Sequence, residues 1–312
     1  MCICTFKRPD GLLRLLAGLD QQVFRATPKP SVSIIVVDNS PSGDAAELCA
    51  AYASVWPLRY LHEPQPGISH ARNTALAAVK PGISFIAMID DDEVPAPDWL
   101  DQLLDAQARS GADIVVGRVT PVFAQGAPEW VRHSGYFLKP QKPDNLRELD
   151  PHPPAATCNV LVRANLLGAS GLTFDPALGL SGGEDTMLFQ TLKRSGYRFV
   201  WAAAAHVSEW IPAERANLAY MCREAFRRGS YRYYVKRRLK STSVLHSLRL
   251  ALRIVLRSVV SIVWNLLLAL ASLARGPRTC VPYALNIADS LGGIAGVLQI
   301  PNRHYRSGKT AC

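Results

Sequence analysis

The sequence lacks the signatures of several common protein classes. Its seven cysteines are scattered and include no Cys-x-x-Cys pair, and its 312 residues contain neither a Gly-x-Gly-x-x-Gly fingerprint nor a Walker loop. The two missing fingerprints count against a standard dinucleotide site and against an NTPase. Lys7 and Arg8 interrupt the start of the chain, which therefore shows no apolar leader. Scattered cysteines and the missing leader predict a reduced, cytosolic catalytic part.

Charge is present in quantity but is unevenly placed. The formal net charge is +10, and the stretch from Arg223 to Arg257 holds eleven Lys or Arg residues and a single acid, Glu224. Nucleic acid, anionic lipid and phosphorylated substrates are all candidate partners for such a run. The apolar content of 48% is ample for a core. The length allows one large domain, or one domain with an appendage.

The most informative stretch is an apolar run that ends in four acids. Phe85–Ile89 is rich in branched and aromatic residues and is too short for a helix, so it predicts a buried strand. Residues 90–93 are Asp-Asp-Asp-Glu. Adjacent carboxylates repel one another. A cation or cationic ligand among them offsets the cost of that repulsion. Ligands of open α/β sheets bind at the carboxyl ends of strands, where these acids fall. The alternative is a solvated acidic turn before a helix at 98–100.

Strand and helix patterns alternate through the first part of the chain, which predicts a parallel, helix-covered sheet. The predicted strands lie at 1–5, 32–37, 58–61, 85–89 and 114–119, and helices are predicted from 9, at 45–52, at 69–79 and from 98. Asp38 follows the second strand, where an acid binds a ribose or base edge or forms an Asx turn. Ser69 is a predicted N-cap that places Arg72 in a first turn, either as a diphosphate ligand or as a surface arginine.

The second half of the catalytic part contains two further candidate regions. Residues 120–154 are rich in proline and carry aromatic residues, as expected of a functional or mobile loop that could hold an acceptor sugar. Gly182 and Gly183 form a tight turn before Glu184 and Asp185, which fall in the first turn of a helix. Carboxylates there either cap the helix electrostatically or supply a general base. His206 alone is more often structural than a metal ligand.

Five of these stretches, in order, resemble the family 2 glycosyltransferases. They are Cys-Thr-Phe-Lys-Arg-Pro at 4–9, Val-Asp-Asn-Ser at 37–40, Gly-Ile-Ser-His-Ala-Arg-Asn at 67–73, Ile-Asp-Asp-Asp-Glu at 89–93 and Gly-Glu-Asp at 183–185. The resemblance covers roughly residues 2–210. The sequence at 89–95 and the sequence Trp-Ile-Pro-Ala-Glu-Arg at 210–215 look most like those of bacterial exopolysaccharide transferases of the succinoglycan glucosyltransferase type.

The resemblance implies an α/β fold of the GT-A type, with three α/β/α layers and a Rossmann-like, mostly parallel sheet. It places this catalytic domain at residues 1–210, with a nucleotide-binding half at about 1–119 and an acceptor half at about 120–210. Residues 211–312 would form a basic and apolar helical region that associates with a membrane.

The resemblance also implies a role for each matching residue. The nucleotide would be bound by Thr5, Phe6, Arg8, Asp38, Arg72, Asp90 and Asp91. Asp92 would be the main metal ligand, with Asp90 and His206. Asp185 would be the catalytic base, with Glu184 beside it. Because Asp91 stands between two acids, the register of the motif is open by one residue. Asp38 is followed by Asn39, where the family frequently has a second acid.

The implied reaction is an inverting transfer of a hexose from a nucleoside-diphosphate sugar, expected to be a UDP-sugar, to a lipid-linked glycan acceptor. A divalent cation, Mn²⁺ or Mg²⁺, would neutralise the charge of the departing diphosphate. The base would take the proton of the acceptor hydroxyl during a single displacement. The setting would be bacterial cell-surface or exopolysaccharide synthesis at the cytoplasmic face of the inner membrane.

The C-terminal third has the pattern expected of a membrane-associated region. Arg249, Arg253 and Arg257 recur every four residues, 258–274 is uncharged, and 279–300 is mostly apolar with Asp289 inside. Basic and aromatic residues beside an apolar run favour an anionic membrane surface as partner. The uncharged run is at the lower limit for a span, so both an in-plane or re-entrant hairpin and a true span stay open. The alternative is a helical pair packed on the catalytic domain.

Three other functions compete with the transferase. A sugar nucleotidyltransferase needs a glycine-rich loop with a basic residue near the N-terminus, and residues 4–9 lack the glycines. A non-catalytic nucleotide-sugar-binding membrane scaffold would not need Asp92, Asp185 and His206 together. A nucleic-acid module is disfavoured because the basic run adjoins apolar helices, so no nucleic acid is expected as partner.

Overall fold

A computed structural model describes residues 1–138, 146–151, 153–240 and 243–300. Eight strands form one sheet: β1 (Cys2–Thr5), β2 (Ile34–Asp38), β3 (Leu58–His62), β4 (Phe85–Ile89), β5 (Glu93–Pro95), β6 (Ile114–Phe123), β7 (Asn159–Arg163) and β8 (Phe199–Ile211). The helices are α1 (Pro9–Asp20), α2 (Ala46–Ala51), α3 (Ile68–Ala77), α4 (Trp99–Ser110), α5 (Glu129–Arg132), α6 (Glu184–Arg194), α7 (Leu218–Lys240), α8 (Val244–Ser272) and α9 (Val281–Val297).

The sheet is parallel in its first half and mixed in its second. Its strand order is β3-β2-β1-β4-β7-β6-β8-β5. β3, β2, β1 and β4 run parallel, whereas β7 is antiparallel to both of its neighbours and β5 is antiparallel to β8. The expected parallel core is confirmed there, and the carboxyl ends of its strands meet at one edge.

Helices cover both faces of the sheet because its strands are apolar on both sides. All five residues of β2 are buried, as its unbroken branched run predicts. On one face α1, α2 and α4 pack over the sheet, with Leu12, Leu16 and Trp99 fully buried. On the other face α3 and α6 pack through Ala71 and Leu188, among others. The predicted three-layer α/β/α arrangement is therefore confirmed.

Two strands of the second half differ from the sequence prediction. Pro95 in the sequence predicts that no strand continues through this position, yet Glu93–Pro95 pairs with β8. The pairing lies at the edge of the sheet, where proline is tolerated because one side of the strand needs no ladder partner. The sequence predicts a strand at about 197–201, and in the structure this strand continues to Ile211 as β8. Its register with β6 shifts between Gly117 and Arg118, so a bulge accommodates the extra residues.

The start of α3 also differs from the prediction. Gly67 is the N-cap, with φ of 128°, whereas Ser69 lies inside the first turn and donates a hydrogen bond to the Asp175 carbonyl over 2.9 Å. Arg72 consequently lies in the second turn rather than the first. In the proline-rich stretch, the prolines at 140 and 143 lie outside the described residues. Phe137 from the described part packs with Met221 of α7.

The C-terminal helices form a layer of their own beside the sheet domain. α7 and α9 approach closely at glycines: a Cβ on Gly229 would lie 2.0 Å from the Asp289 carbonyl oxygen, and one on Gly296 would lie 2.0 Å from that of Ser230. α8 packs on α9 along one side only. In the part of the chain that the structure describes, α8 is the one helix long and apolar enough to cross a membrane, and little of it is buried.

Candidate functional site

Three strands bring polar residues to one edge of the sheet. β1 ends at Thr5 and its parallel neighbour β2 ends at Asp38, and these two residues are register partners. β4 lies on the other side of β1 and is followed at once by Asp90, Asp91 and Asp92, here called the acidic motif. This edge is where open α/β sheets bind their ligands.

The middle acid of the motif faces the loop after β1. Thr5 Oγ1 and Arg8 Nη1 donate hydrogen bonds to the two carboxylate oxygens of Asp91 over 2.8 and 2.7 Å, and the Phe6 N–H donates one over 3.4 Å. Burial raises the pKa of Asp91 to about 6, against the opposing effect of the Arg8 charge. A Cβ on Gly11 would lie 2.5 Å from the Asp91 carbonyl oxygen, so α1 packs directly on this turn. Asp91 is thus held by the protein's own loop.

Asp92 lies between two guanidinium groups. Its Oδ2 accepts hydrogen bonds from Arg8 Nη1 over 3.0 Å and from Arg215 Nη1 over 2.8 Å. Arg215 comes from the segment between β8 and α7, and the Trp210 N–H at the end of β8 donates to the Asp92 carbonyl over 2.8 Å. Two elements far apart in the sequence therefore converge on this carboxylate.

Arg72 links the acidic motif to the start of α6. Its Nη2 lies 3.6 Å from Asp90 Oδ1, and its Nη1 donates to Glu184 Oε1. Burial raises the pKa of Glu184, while the Arg72 charge opposes that change. A pocket beside Asp90 and Arg72 is also lined by Cys4 of β1 and by Thr157. The guanidinium of Arg72 thereby joins residues expected on the donor side to residues expected on the acceptor side.

Asp185 lies next to Glu184 in the first turn of α6, as predicted. Gly182 and Gly183 precede it with φ of 81° and 91°, a backbone conformation that favours glycine. The Asp185 carboxylate accepts a hydrogen bond from the Thr186 N–H over 2.6 Å and is partly exposed. Tyr231 of α7 packs against the turn, since a Cβ on Gly183 would lie 2.5 Å from its ring. Burial, and then the charge of Asp185, raises the pKa of this tyrosine.

Asp38 is fully buried and holds the turn after β2. Its Oδ1 accepts a hydrogen bond from the Ser40 N–H over 2.8 Å, and its Oδ2 accepts one from the Ala45 N–H over 2.7 Å. This is the Asx turn that the sequence offered as one of two alternatives. The contact of Asp38 with a ribose or base stays a prediction.

His206 lies on β8 at a distance from the acidic motif. Its Nε2 is 2.8 Å from Thr120 Oγ1, and burial together with a neighbouring arginine lowers its pKa. β8 meets the motif at Trp210, and the four intervening steps of extended strand span about 13 Å. The structure therefore does not bring His206 to Asp92. Within residues 1–138, 146–151, 153–240 and 243–300, no three His, Cys, Asp or Glu side chains form a group that could hold a metal.

Asp90 and Asp92 nevertheless offer the ligand chemistry that a divalent cation prefers. Carboxylate oxygens suit Mg²⁺ and Mn²⁺, and Mg²⁺ commonly uses one or two carboxylates together with substrate phosphates. The Asp90 side chain is 37% exposed, while Asp92 Oδ2 contacts both arginines. The two carboxylates fit a cation that binds with a diphosphate, and they do not form a complete site by themselves.

Sequence reasoning assigned no role to two residues of this site. Arg215 stands in the Trp-Ile-Pro-Ala-Glu-Arg stretch that carried part of the family resemblance, so its position was a usable signal. Tyr231 lies in the aromatic and basic run of α7, and no local pattern distinguishes it from Tyr233 or Tyr234.

Comparisons with known proteins agree on one family. The profile of glycosyl transferase family 2 matches residues 1–168. Succinoglycan biosynthesis protein ExoM of Rhizobium meliloti (strain 1021) is 32% identical over 233 residues, which cover 73% of this chain and 71% of that protein. Glycosyltransferase AglE of Haloferax volcanii is 24% identical over 167 residues, which cover 53% and 52% of the two chains.

Solved structures agree on the fold. S. aureus TarS 1-349, also solved with UDP and with UDP-GlcNAc, has a TM-score of 0.52 and 14% identity, with 96% of this chain and 90% of that chain covered. GalNAc-T7 with UDP, GalNAc and Mn²⁺ has a TM-score of 0.53 and 17% identity, with 74% and 50% covered. These likenesses confirm the predicted GT-A fold.

Proposed function

Since the chain belongs to glycosyl transferase family 2, we propose that it is an inverting glycosyltransferase that moves a hexose from a UDP-sugar to a lipid-linked glycan acceptor. The process would be the synthesis of a bacterial cell-surface polysaccharide or exopolysaccharide. One observation carries the proposal: Arg72 joins the acidic motif at the end of β4 to the Glu184–Asp185 pair at the start of α6. The edge proposed to bind the donor and the candidate base therefore belong to one charged cluster.

The donor nucleotide would bind at the sheet edge formed by residues 1–119. The proposed contacts are Thr5, Phe6, Arg8, Asp38, Arg72, Asp90 and Asp91. Two of these residues would act through the backbone they position, because Asp38 and Asp91 already accept hydrogen bonds from their own loops. The UDP found with TarS and with GalNAc-T7 supports uridine as the nucleoside of the donor.

A divalent cation, Mn²⁺ or Mg²⁺, would be held by Asp90 and Asp92 together with the donor diphosphate. Bound there, it would supply charge neutralisation for the leaving group. The Mn²⁺ in GalNAc-T7 supports the proposal. His206 was expected to complete the ligand set, and its hydrogen bond to Thr120 speaks for a structural role instead.

Asp185 would act as the general base and Glu184 as its positioning neighbour. Asp185 is partly exposed, whereas Glu184 is buried against Arg72. As the acceptor oxygen attacks the anomeric carbon, its proton would pass to an Asp185 oxygen, and the bond from that carbon to the diphosphate would break on the opposite face. A single displacement inverts the carbon and needs no second nucleophilic carboxylate.

The acceptor would reach this base from residues 120–210 and from the C-terminal region at 211–312. α8 carries the basic stripe of Arg249, Arg253 and Arg257 and an exposed apolar face, which suit the anionic cytoplasmic face of a bacterial inner membrane. Tyr231 of α7 packs against the turn before Asp185, so the helical layer adjoins the proposed base. A lipid-linked acceptor fits this arrangement. Its sugar end would meet the proposed base, and its lipid end would stay at the membrane beside α8.

Calorimetric titration of UDP, GDP and dTDP, with and without Mn²⁺, tests the proposal. We expect one nucleotide, UDP, to bind the purified protein in a Mn²⁺-dependent manner, and Asp92→Asn to weaken that binding. His206→Gln is the matched variant, and we expect it to leave the Mn²⁺ dependence unchanged. Absence of binding for every nucleotide would contradict the proposal.

A further inference from the structure

The ion pairs around the acidic motif connect carboxylates and guanidinium groups in one network, in which Arg72 also pairs with Glu184. Three carboxylates, those of Asp90, Asp91 and Asp92, face the guanidinium groups of Arg8, Arg72 and Arg215. Arg8 bridges two of the acids, and Arg215 approaches Asp92 from the other side. The Arg8 side chain is 32% exposed and the Arg215 side chain is 16% exposed. Their ion pairs with the acidic motif are therefore partly shielded from bulk water.

This network sets different electrostatic conditions for the binding of a cation and for the binding of a diphosphate. A divalent cation alone would approach Asp92 against two guanidinium charges, and a diphosphate alone would approach the guanidinium groups against three carboxylates. A cation and a diphosphate that bind together bring nearly compensating charges. The cation can then bind the carboxylates, and the phosphates can bind the guanidinium groups that those carboxylates release.

We propose that Arg215, with Arg8, holds Asp92 in an ion pair and exchanges that carboxylate for the donor diphosphate when the nucleotide and the cation bind together. Arg215 is thereby a donor-binding residue, and it couples the binding of the two ligands. The inference rests on the proposed function, because it takes a nucleoside diphosphate as the ligand of this edge.

The segment that carries Arg215 is anchored without its guanidinium group. The Trp210 N–H holds the end of β8 to the Asp92 carbonyl over 2.8 Å. The Arg215 N–H donates to the Pro212 carbonyl over 3.0 Å, and the guanidinium carbon lies 6.0 Å from the centre of the Tyr220 ring. The backbone can therefore stay in place while the side chain changes partners along the face of the tyrosine.

Calorimetry on four forms of the full chain tests this exchange. The forms are the wild type, Arg215→Gln, Arg215→Lys and Arg59→Gln, and each is titrated with Mn²⁺ alone, with UDP alone and with both. Arg59 is an exposed arginine on β3, so its substitution controls for the loss of one positive charge. Thermal unfolding of each form reports whether the substitution disturbs the fold.

In the wild type and in Arg59→Gln, we expect Mn²⁺ to raise the affinity for UDP at least about tenfold, with weak binding of Mn²⁺ alone. In Arg215→Gln, we expect UDP with Mn²⁺ to bind about tenfold to a hundredfold more weakly, the effect of one lost charged hydrogen bond. Mn²⁺ alone should bind that variant more tightly, because Asp92 has lost an opposing cation. Arg215→Lys keeps the charge and should retain most of the coupling.

Three results would overturn the inference, and they differ in what they say of the proposed function. Equal coupling in Arg215→Gln and the wild type removes the role of Arg215 and leaves the transferase proposal intact. Equal losses in Arg215→Gln and Arg215→Lys, accompanied by lower unfolding temperatures, assign Arg215 a purely structural role. Absence of UDP binding to the wild type under every condition overturns both proposals.

Discussion

The sheet domain and the C-terminal helices bury opposite kinds of side chain. In the sheet domain the largest fully buried side chains are apolar and include Trp99, Trp201 and Phe174. Between α8 and α9 most of the buried side chains are small or polar, and they include Ser258, Asn265, Ser272 and Ser290. Ser290 Oγ donates to Ser261 Oγ over 2.9 Å, and the exposed Asn286 donates to Asn265 over 3.0 Å. The outward face of α8 is apolar, with exposed Leu248, Leu252, Leu256, Val260, Val263, Trp264, Leu267 and Leu270.

This inversion of polarity is the pattern expected if the two regions lie in different surroundings. A polar seam with an apolar exterior is the arrangement of helices that pack inside lipid, where small and polar residues mediate contact. In the sheet domain the charges gather at the strand ends and pair with one another across the site. If the chemistry resides in the sheet domain and the helices hold it at a membrane, each region can be disabled while the other keeps its properties.

The largest expected effect is the loss of transfer in Asp185→Asn. An amide cannot accept the acceptor proton, and general base catalysis contributes about a hundredfold to ten-thousandfold. We expect transfer of radiolabelled sugar to fall by that factor, while UDP binding by calorimetry and sedimentation with vesicles stay unchanged. Asp105→Asn on α4 is the control, because Asp105 pairs with Arg109 on the same helix. Loss of UDP binding in Asp185→Asn would remove its assignment as base.

The reverse experiment disables the helices and spares the sheet. Leu256 and Val260 are 55% and 68% exposed on α8, and burial of one such side chain contributes about 1.5–3 kcal/mol. The pair Leu256→Glu and Val260→Glu should therefore lower partition into anionic phospholipid vesicles about a hundredfold or more. UDP binding should be unaffected.

The matched control for α8 places the same charges on the sheet domain. Leu13→Glu and Val55→Glu alter side chains that are 46% and 66% exposed there. We expect this pair to leave vesicle partition unchanged in a flotation assay. If both pairs behave alike, α8 is a surface helix of the soluble part, and the helical pair packed on the catalytic domain becomes the better interpretation.

Local patterns in the sequence were sufficient for most of the sheet domain. The branched run of β2 and the leucine face of α1 each determine an element within a few residues, and the acidic motif is visible as a run. The glycine turn before Asp185 is equally local. For such features the nearest neighbours in the sequence are also the neighbours that matter physically.

The remaining features depend on contacts between distant residues. Arg215 reaches Asp92 across 123 positions of the chain, and no periodicity reports such a pair. The place of His206 depends on the length of β8 and on the bulge opposite Gly117, which lies outside the reach of local propensity. The two alternatives for Asp38 differ in which atoms lie within hydrogen-bond distance, and only the fold determines that.

A smaller effect is expected from the ion pair that links the two sides of the site. The side chains of Arg72 and Glu184 are 12% and 7% exposed. Removing one partner of a buried pair leaves the other charge without compensation and destabilises a protein by about 3–5 kcal/mol. We expect Arg72→Met to lower the free energy of unfolding of the sheet domain by that amount, measured by tryptophan fluorescence in urea.

A double variant distinguishes the contribution of the Arg72–Glu184 ion pair to stability from the contributions of the surrounding groups. Arg72→Met combined with Glu184→Met removes both charges, so it should be more stable than Arg72→Met alone. A double variant that is less stable than either single variant would show that Glu184 depends on groups other than Arg72.

The smallest expected effect lies in the seam between α8 and α9, and Asn159 provides its matched comparison. Asn159 is 1% exposed and joins three parts of the sheet domain, donating to the Arg118 and Ala205 carbonyls and accepting from Trp99 Nε1. Asn159→Ala leaves those groups buried and unsatisfied, at about 1–3 kcal/mol for each. Asn265→Ala removes the bond to Asn286, where contacts between helices in lipid average about 0.6 kcal/mol.

Unfolding of both asparagine variants in detergent micelles therefore compares the two regions directly. We expect a large loss of stability for Asn159→Ala and a loss within a fraction of a kcal/mol for Asn265→Ala. The reason is that helices in an apolar phase would find alternative polar partners when they unfold there, whereas the buried carbonyls beside Asn159 would not. Equal losses would mean that the seam behaves as the interior of a water-soluble domain, and the inversion of polarity would then require another explanation, such as a protein partner on the apolar face of α8.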